Sequence, residues 1–182
     1  MRRALRPRIV GVRRPYGDRE SAMMLGMSLD TFTLVHVAIS LVGLAAGFVV
    51  VGGLLGDRRL DGSTAVFLAT TVVTSVTGFG FPSERLLPSH VTGVLSLLVL
   101  LPCLLARYRF ALAGGWRRVY VITAVVALYF NTFVAVVQSF LKFPALHALA
   151  PTQSEAPFVL AQGATLVAFV ALGVQSVRRF RS

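Results

Sequence analysis

The chain is short of acid and short of cysteine. Its 182 residues carry 7 Asp and Glu against 18 Lys and Arg, for a net charge of +11. Its one cysteine, Cys103, excludes an intramolecular disulfide and leaves the redox compartment unspecified. HExxH, GxSxG, a Walker A loop, CxxC and a dinucleotide fingerprint are all missing, so no enzymatic chemistry is written in a motif. The most informative lack is of charge along the chain. Residues 31–56, 62–83, 86–106, 119–141 and 156–177 contain no Lys, Arg, Asp or Glu.

A helix rises about 1.5 Å per residue, so about 20 apolar residues cross the hydrocarbon of a bilayer. Each uncharged stretch reaches that length. Backbone amides cannot go unpaired in lipid, so each is expected to be helical. Mean hydropathy is +0.76 and hydrophobic residues make up 55% of the chain, too apolar for a soluble domain. The sequence therefore predicts an all-α integral membrane bundle of five transmembrane helices over residues 31–177. An Arg-rich arm at 1–30 and a basic tail at 178–182 flank it.

All the basic residues fall outside the five stretches, seven of them within the first nineteen positions. Nucleic-acid binding needs a folded basic surface with base-reading groups, and none is present. The charge is read as a topology signal and a contact with anionic lipid. On the side opposite the N-terminus, Arg58, Arg59, Arg107, Arg109, Arg117, Arg118, Arg178, Arg179 and Arg181 lie next to the membrane. The loops on the N-terminal side hold only Arg85 and Lys142. The positive-inside rule then puts the C-terminus in the cytoplasm and the N-terminus outside. The arm, with Arg2, Arg3, Arg6, Arg8, Arg13, Arg14 and Arg19, runs against this. A translation start at Met23, Met24 or Met27 removes the conflict; an exported tail or a span that fails to insert are the alternatives. Arg13-Arg14 does not make a twin-arginine signal, because Pro15 to Asp30 separates it from the apolar run.

Polar side chains in lipid usually face the bundle interior, so their helical phase is informative. In the first span Thr33, His36, Ser40, Gly43 and Gly47 share one face at helical spacing. Gly43 and Gly47 form GxxxG, and Gly52 and Gly56 form a second on roughly the opposite face; small residues of this kind let helices approach closely. The second span carries Thr70, Thr71, Thr74, Ser75 and Thr77, whose hydroxyls can bond back to the i−4 carbonyl. Gly78, Gly80 and Pro82 should loosen its end. Ser89 is the expected N-cap of the third span, with Pro88 just outside, and Pro102 should kink that helix. In the fourth span Tyr120, Ala124, Ala127, Asn131, Ala135, Gln138 and Lys142 make one stripe, read either as interhelical glue or as the lining of a polar cavity. Tyr129, Phe130, Phe133 and Phe140 are counted as lipid-facing bulk. Residues 142–155 hold Pro144, His147 and Pro151 and read as an interfacial segment. Thr152 or Ser154 is the expected cap of the last span, with Pro157 in its first turn.

The three histidines, His36, His90 and His147, all fall at the N-terminal side of the membrane in this topology. Glu84, Glu155, Lys142, Gln138, Gln153 and Gln162 lie at the same end. This predicts a polar pocket of Asn131, Gln138, Lys142, His147, Glu155 and Gln162. The first cofactor expectation is a b-type haem ligated by His36 and His90, with Gly43 and Gly93 giving the macrocycle room and Arg85 or Lys142 pairing with a propionate. A divalent metal held by the histidines and Glu155 is a weaker expectation, because no tight ligand spacing such as HxxxH exists. The bland alternative is a set of interfacial histidines with structural hydrogen bonds.

At Thr74-Ser75-Val76-Thr77-Gly78-Phe79, at Pro88-Ser89-His90, and from Asn131 to Glu155 through Gln138, Lys142, Pro144 and Ala150-Pro151-Thr152-Gln153, the chain resembles small multi-pass bacterial inner-membrane proteins of uncharacterised function. The resemblance implies a bacterial inner-membrane location and no assigned activity. A looser likeness to small haem-bearing membrane cytochromes rests only on histidines near helix ends. The functional expectations are cofactor or small-ligand binding, haem first, as an accessory subunit of an electron-transfer complex; a structural or assembly subunit packing through its GxxxG faces onto other membrane subunits or itself; and a small-solute transporter. The last is weakened by the lack of an inverted repeat or of a span broken at the midplane.

Overall fold

A computed structural model describes residues 23–24, 26–81 and 88–181. The chain forms two compact units, residues 1–35 and 36–182. In the first, the described residues make a short antiparallel pair of strands, β1 (Met23–Met24) and β2 (Met27–Ser28), joined through Gly26 at positive φ. Ser28 then caps the first helix: its Oγ accepts from the Thr31 N–H at 3.2 Å, satisfying one of the amides that a helix start leaves without an internal partner. Residues 1–22 of the Arg-rich arm, with all seven of its arginines, lie outside the described residues, as do Pro82, Glu84 and Arg85.

The described remainder is all-α. Its helices are α1 (Leu29–Leu55, which begins in the first unit), α2 (Asp61–Gly78), α3 (Pro88–Leu104), α4 (Trp116–Lys142), the short α5 (Pro144–Leu149) and α6 (Ala156–Arg179). Four segments are long and apolar enough to cross a membrane: Leu29–Leu55, His90–Arg109, Trp116–Lys142 and Ala156–Arg179. They correspond to four of the five uncharged stretches. The fifth stretch gives α2, which has 18 residues and is shorter than expected because it ends at Gly78. Here Phe79 N–H and Gly80 N–H turn back onto Val76 and Thr77 carbonyls, as the two glycines foretold.

Hydroxyls on these helices are largely settled within their own helix. Thr33, Ser40, Thr70, Thr71, Thr77, Thr123, Thr132, Ser139 and Thr165 each donate to the carbonyl four residues back, at 2.6 to 2.9 Å. This lets polar residues sit in an apolar setting without an unpaired proton. Pro102 lies inside α3, which runs on into a π-helical turn at Leu105–Arg109. The expected cap at Ser89 is corrected: α3 begins at Pro88, so Ser89 is already inside the helix.

α1 and α2 cross antiparallel in one register. His36 meets Thr77, Ser40 meets Thr74, Gly43 lies against Thr70, and Gly47 lies against Phe67. The first GxxxG therefore does pack closely. A Cβ on Gly43 would stand 2.7 Å from Thr70 Oγ1. One on Gly47 would run into Leu128 Cδ1 and stand 2.9 Å from Phe67 Cε2. The second motif behaves differently, with open space within 4 Å of Gly52. α3 and α4 complete the packing around α2. Thr71 and Phe67 are fully buried, along with Leu68, Leu128, Ala127 and Cys103. The outward face of α2 is apolar: Val66, Val73 and Val76 are exposed. α2 is thus hydroxyl-in and valine-out, the reverse of a soluble amphipathic helix.

The two glycine motifs predict opposite responses to an added methyl. Alanine gains up to about 1 kcal/mol of helix propensity over glycine, while overpacking a closed core costs about 1–3 kcal/mol. Gly47→Ala, whose neighbours Phe67 and Leu128 have nowhere to move, should lower the thermal unfolding midpoint in detergent. Gly52→Ala should leave it unchanged or raise it.

Candidate functional site

The end of the bundle where α2 terminates brings His36 and His90 to the same turn. His36, on α1, places Nδ1 2.9 Å from Thr77 Oγ1. The Thr77 hydroxyl already donates to the Val73 carbonyl at 2.7 Å, so its oxygen accepts and His36 Nδ1 is the donor. A neutral His36 then carries its lone pair on Nε2. Its ring stands edge-on to Phe81, with centroids 5.1 Å apart. His90, in the first turns of α3, is buried and stacks on Phe79 with centroids 5.7 Å apart and planes 17° from parallel. The two imidazoles thus flank the Gly78-Phe79-Gly80-Phe81 turn, one on each neighbouring helix.

That turn occupies the room the sequence had assigned to a macrocycle. The Phe79 ring covers Gly93, standing 3.1 Å from where a Cβ would be, and Thr70 fills the space beside Gly43. Both glycines serve close packing onto α2. A planar ligand between His36 and His90 requires Phe79 to swing away; Phe79 is itself partly exposed, so the swing leads outward and not through the core. No cluster of three or more His, Cys, Asp or Glu able to hold a metal ion occurs among the described residues.

The α4 stripe divides along its length. Tyr120, Ala124 and Ala127 are buried and Asn131 is half-buried, while Gln138 and Lys142 are exposed. Asn131 Nδ2 donates to Thr71 Oγ1 at 3.1 Å, and Tyr120 OH and Thr64 Oγ1 are 3.2 Å apart in the core. Gln162, on α6, donates through Nε2 to the Phe133 carbonyl at 3.2 Å, and its Oε1 is buried without a partner. Gln153 folds its loop onto α4 by donating to the Val137 carbonyl at 3.0 Å. His147 lies exposed on α5. Asn131 and Gln162 are therefore helix-to-helix ties, and Gln138, Lys142 and His147 are surface groups. Phe140, expected to face lipid, is buried against Phe158, with ring centroids 5.4 Å apart.

Glu155 organises the entrance to α6. It is the N-cap residue, where Thr152 or Ser154 had been expected. Those two residues bond to it instead. Thr152 Oγ1 and N–H donate to Oε1 at 2.8 and 3.2 Å, and Ser154 N–H donates to Oε2 at 3.1 Å. Desolvation works to raise the Glu155 pKa. The hydrogen bonds from Thr152 and from backbone amides outweigh it and hold the carboxyl below its ordinary value of 4.5.

The opposite end carries a cluster that the sequence reading missed. Arg107 pairs with Asp61 and lies over the Tyr120 ring. Asp57, at positive φ just past α1, accepts from the Arg181 N–H at 2.7 Å, and Arg117 Nη1 donates to the Arg181 carbonyl at 2.8 Å. Between them Phe180 is buried near Tyr120. The segment expected to be a basic tail is thus fastened to the ends of α1 and α4. An aromatic inside an arginine run was the available signal.

Glu155 gives a pH prediction. A carboxyl with a depressed folded pKa contributes stability that is present above its unfolded value, about 4.5, and that is lost as pH falls through the folded value. Hydrogen-exchange protection of the Thr152 and Ser154 amides should therefore hold down to about pH 4.5 and fall below it. In Glu155→Gln it should be low throughout.

The geometry so described stands by itself: comparison of the chain with protein families, with characterised proteins and with solved structures returns no match.

Proposed function

We propose that this chain is a five-span protein of a bacterial inner membrane, N-terminus outside and C-terminus cytoplasmic. Its role is structural: a packing subunit that assembles with other membrane subunits or with itself. The observation that carries this reading is where its inward polar groups go. His36, Ser40, Thr71, Tyr120 and Asn131 each meet a partner on a neighbouring helix of the same chain. Groups used up in this way hold helices together. The outer surface supports the membrane setting, with Leu34, Leu98, Leu160 and Val167 at 62% exposure or more. α2 is taken as the fifth span because Val66, Val73 and Val76 form its outer face, and an 18-residue helix is about 27 Å long, close to the hydrocarbon thickness.

A b-type haem between His36 and His90 is the second reading. It is favoured by the His36 hydrogen bond, since a ligating imidazole ordinarily donates its other N–H to a fixed acceptor. The residues that would hold it are His36 and His90, with Phe79 displaced from Gly93. When bound, the group would supply one-electron chemistry.

Two measurements separate these readings. Expressed with added haem and purified in mild detergent, the protein should be colourless and elute in a complex or as an oligomer. A Soret band lost in both His36→Ala and His90→Ala would replace the structural reading with the haem reading. Reporter fusions test the topology: alkaline phosphatase should be active when joined at Gln153 and inactive when joined after Arg181. The reverse pattern would contradict the orientation.

A further inference from the structure

α4 and α6 pack antiparallel through Phe140 and Phe158 near one end and through Tyr129 and Phe169 further along. Toward the arginine end an open groove of about 380 Å³ runs between them. Its floor is Val125 and Phe169, both buried, and its rims include Ile122, Val170 and Val174, all at least 45% exposed. Gly173 adds depth: a Cβ there would stand 3.6 Å from Val125 Cγ1, in ordinary contact, and anything larger would fill the trough. One charged residue lines the groove, the exposed Arg178 at its end.

The length and charge of the groove fit one kind of occupant. Leu166 to Arg178 is twelve residues on, about 18 Å along a helix axis, against about 30 Å for the whole hydrocarbon. The groove therefore covers roughly one leaflet. A single acyl chain lies within one leaflet and matches that length. Arg178 sits where a headgroup would be. Among the described residues the one ion pair is Arg107–Asp61, so no described carboxylate pairs with Arg178. A guanidinium matches a phosphate through paired N–H donors.

We propose that the α4–α6 groove binds one acyl chain of an anionic glycerophospholipid, with the lipid phosphate on Arg178. The site goes beyond the structural role and rests only on the membrane setting. It also assigns work to an apolar face that helix packing leaves open. Ile122, Val170 and Val174 would be covered by a lipid that stays with the protein, while the rest of the surface meets lipid in exchange.

Native mass spectrometry of the full chain in detergent, with phosphatidylglycerol or phosphatidylcholine added, tests this. The expected result is one retained phosphatidylglycerol per chain, with phosphatidylcholine held more weakly. Arg178→Gln should weaken phosphatidylglycerol retention about fivefold, as expected for one arginine near an anionic surface, and weaken phosphatidylcholine, whose phosphate is offset by its own choline cation, by less. Val170→Trp, made at an exposed rim so that the core is untouched, should abolish both. Equal retention of the two lipids, or phosphatidylglycerol retained undiminished in Val170→Trp, would overturn the proposal. So would a dimer that Val170→Trp converts to monomer, which would give the groove to a second copy. Retention in carbonate-washed membranes keeps the membrane setting intact whichever of these results appears, so the two failures are distinguishable.

Discussion

The seam between α1 and α2 is the constraint on which the rest of the structure depends. Two helices can approach closely only where side chains are small, and in an apolar setting only where polar groups are already satisfied. Both conditions are met along the same line. Gly43 and Gly47 remove bulk, and Thr70, Thr71 and Thr77 spend their protons on their own helix. Each threonine oxygen is then left as an acceptor. Thr77 takes His36 and Thr71 takes Asn131, so α2 ties α1 on one side to α4 on the other. The hydroxyl-bearing face of α2 turns inward because inside is where its acceptors find donors.

The two ends of the bundle are finished by different means. At the histidine end the closing groups are rings: Phe79 and Phe81 from the turn after α2, against His90 and His36. At the arginine end they are charges and backbone, with Asp61 holding Arg107 and Asp57 holding the chain at Arg181. The chain has seven acids against 18 basic residues, and among the described residues Arg107–Asp61 is the one ion pair, so most arginines at this end pair with no described carboxylate. An arginine-rich surface beside apolar helices is what anionic headgroups stabilise, which links the composition of the chain to where it is expected to reside.

Much of this was legible in the sequence, and the parts that were not have physical reasons. The four long apolar helices were readable because a charge closes each uncharged stretch and charge is costly in lipid, whereas α2 stops at Gly78, short of the charge expected to end it. The inner face of α1 was readable because His36, Ser40, Gly43 and Gly47 repeat at helical spacing. The α4 stripe misled: period places Asn131 and Gln138 on one face, and only tertiary packing makes Asn131 half-buried and leaves Gln138 exposed. That α2 loosens at Gly78 was legible, but the path of Phe79 was not, since two glycines permit many paths and contact with Gly93 and His90 selects one. Glu155 was overlooked as a cap because serine and threonine are the usual choices, and three donors converging on one carboxylate is a property of the folded loop. The latch at Phe180 was hidden by a reading that took a run of arginines as a solvated tail.

Cross-linking across the seam tests the central arrangement most directly. In a Cys103→Ala background, Ser40→Cys combined with Thr74→Cys should form a disulfide on mild oxidation in native membranes, because the two hydroxyls lie 3.4 Å apart. Ser40→Cys combined with Val73→Cys, on the exposed face of α2, should not. A cross-link with Val73→Cys and none with Thr74→Cys would contradict the register, and with it the account of how the polar groups of this chain are held.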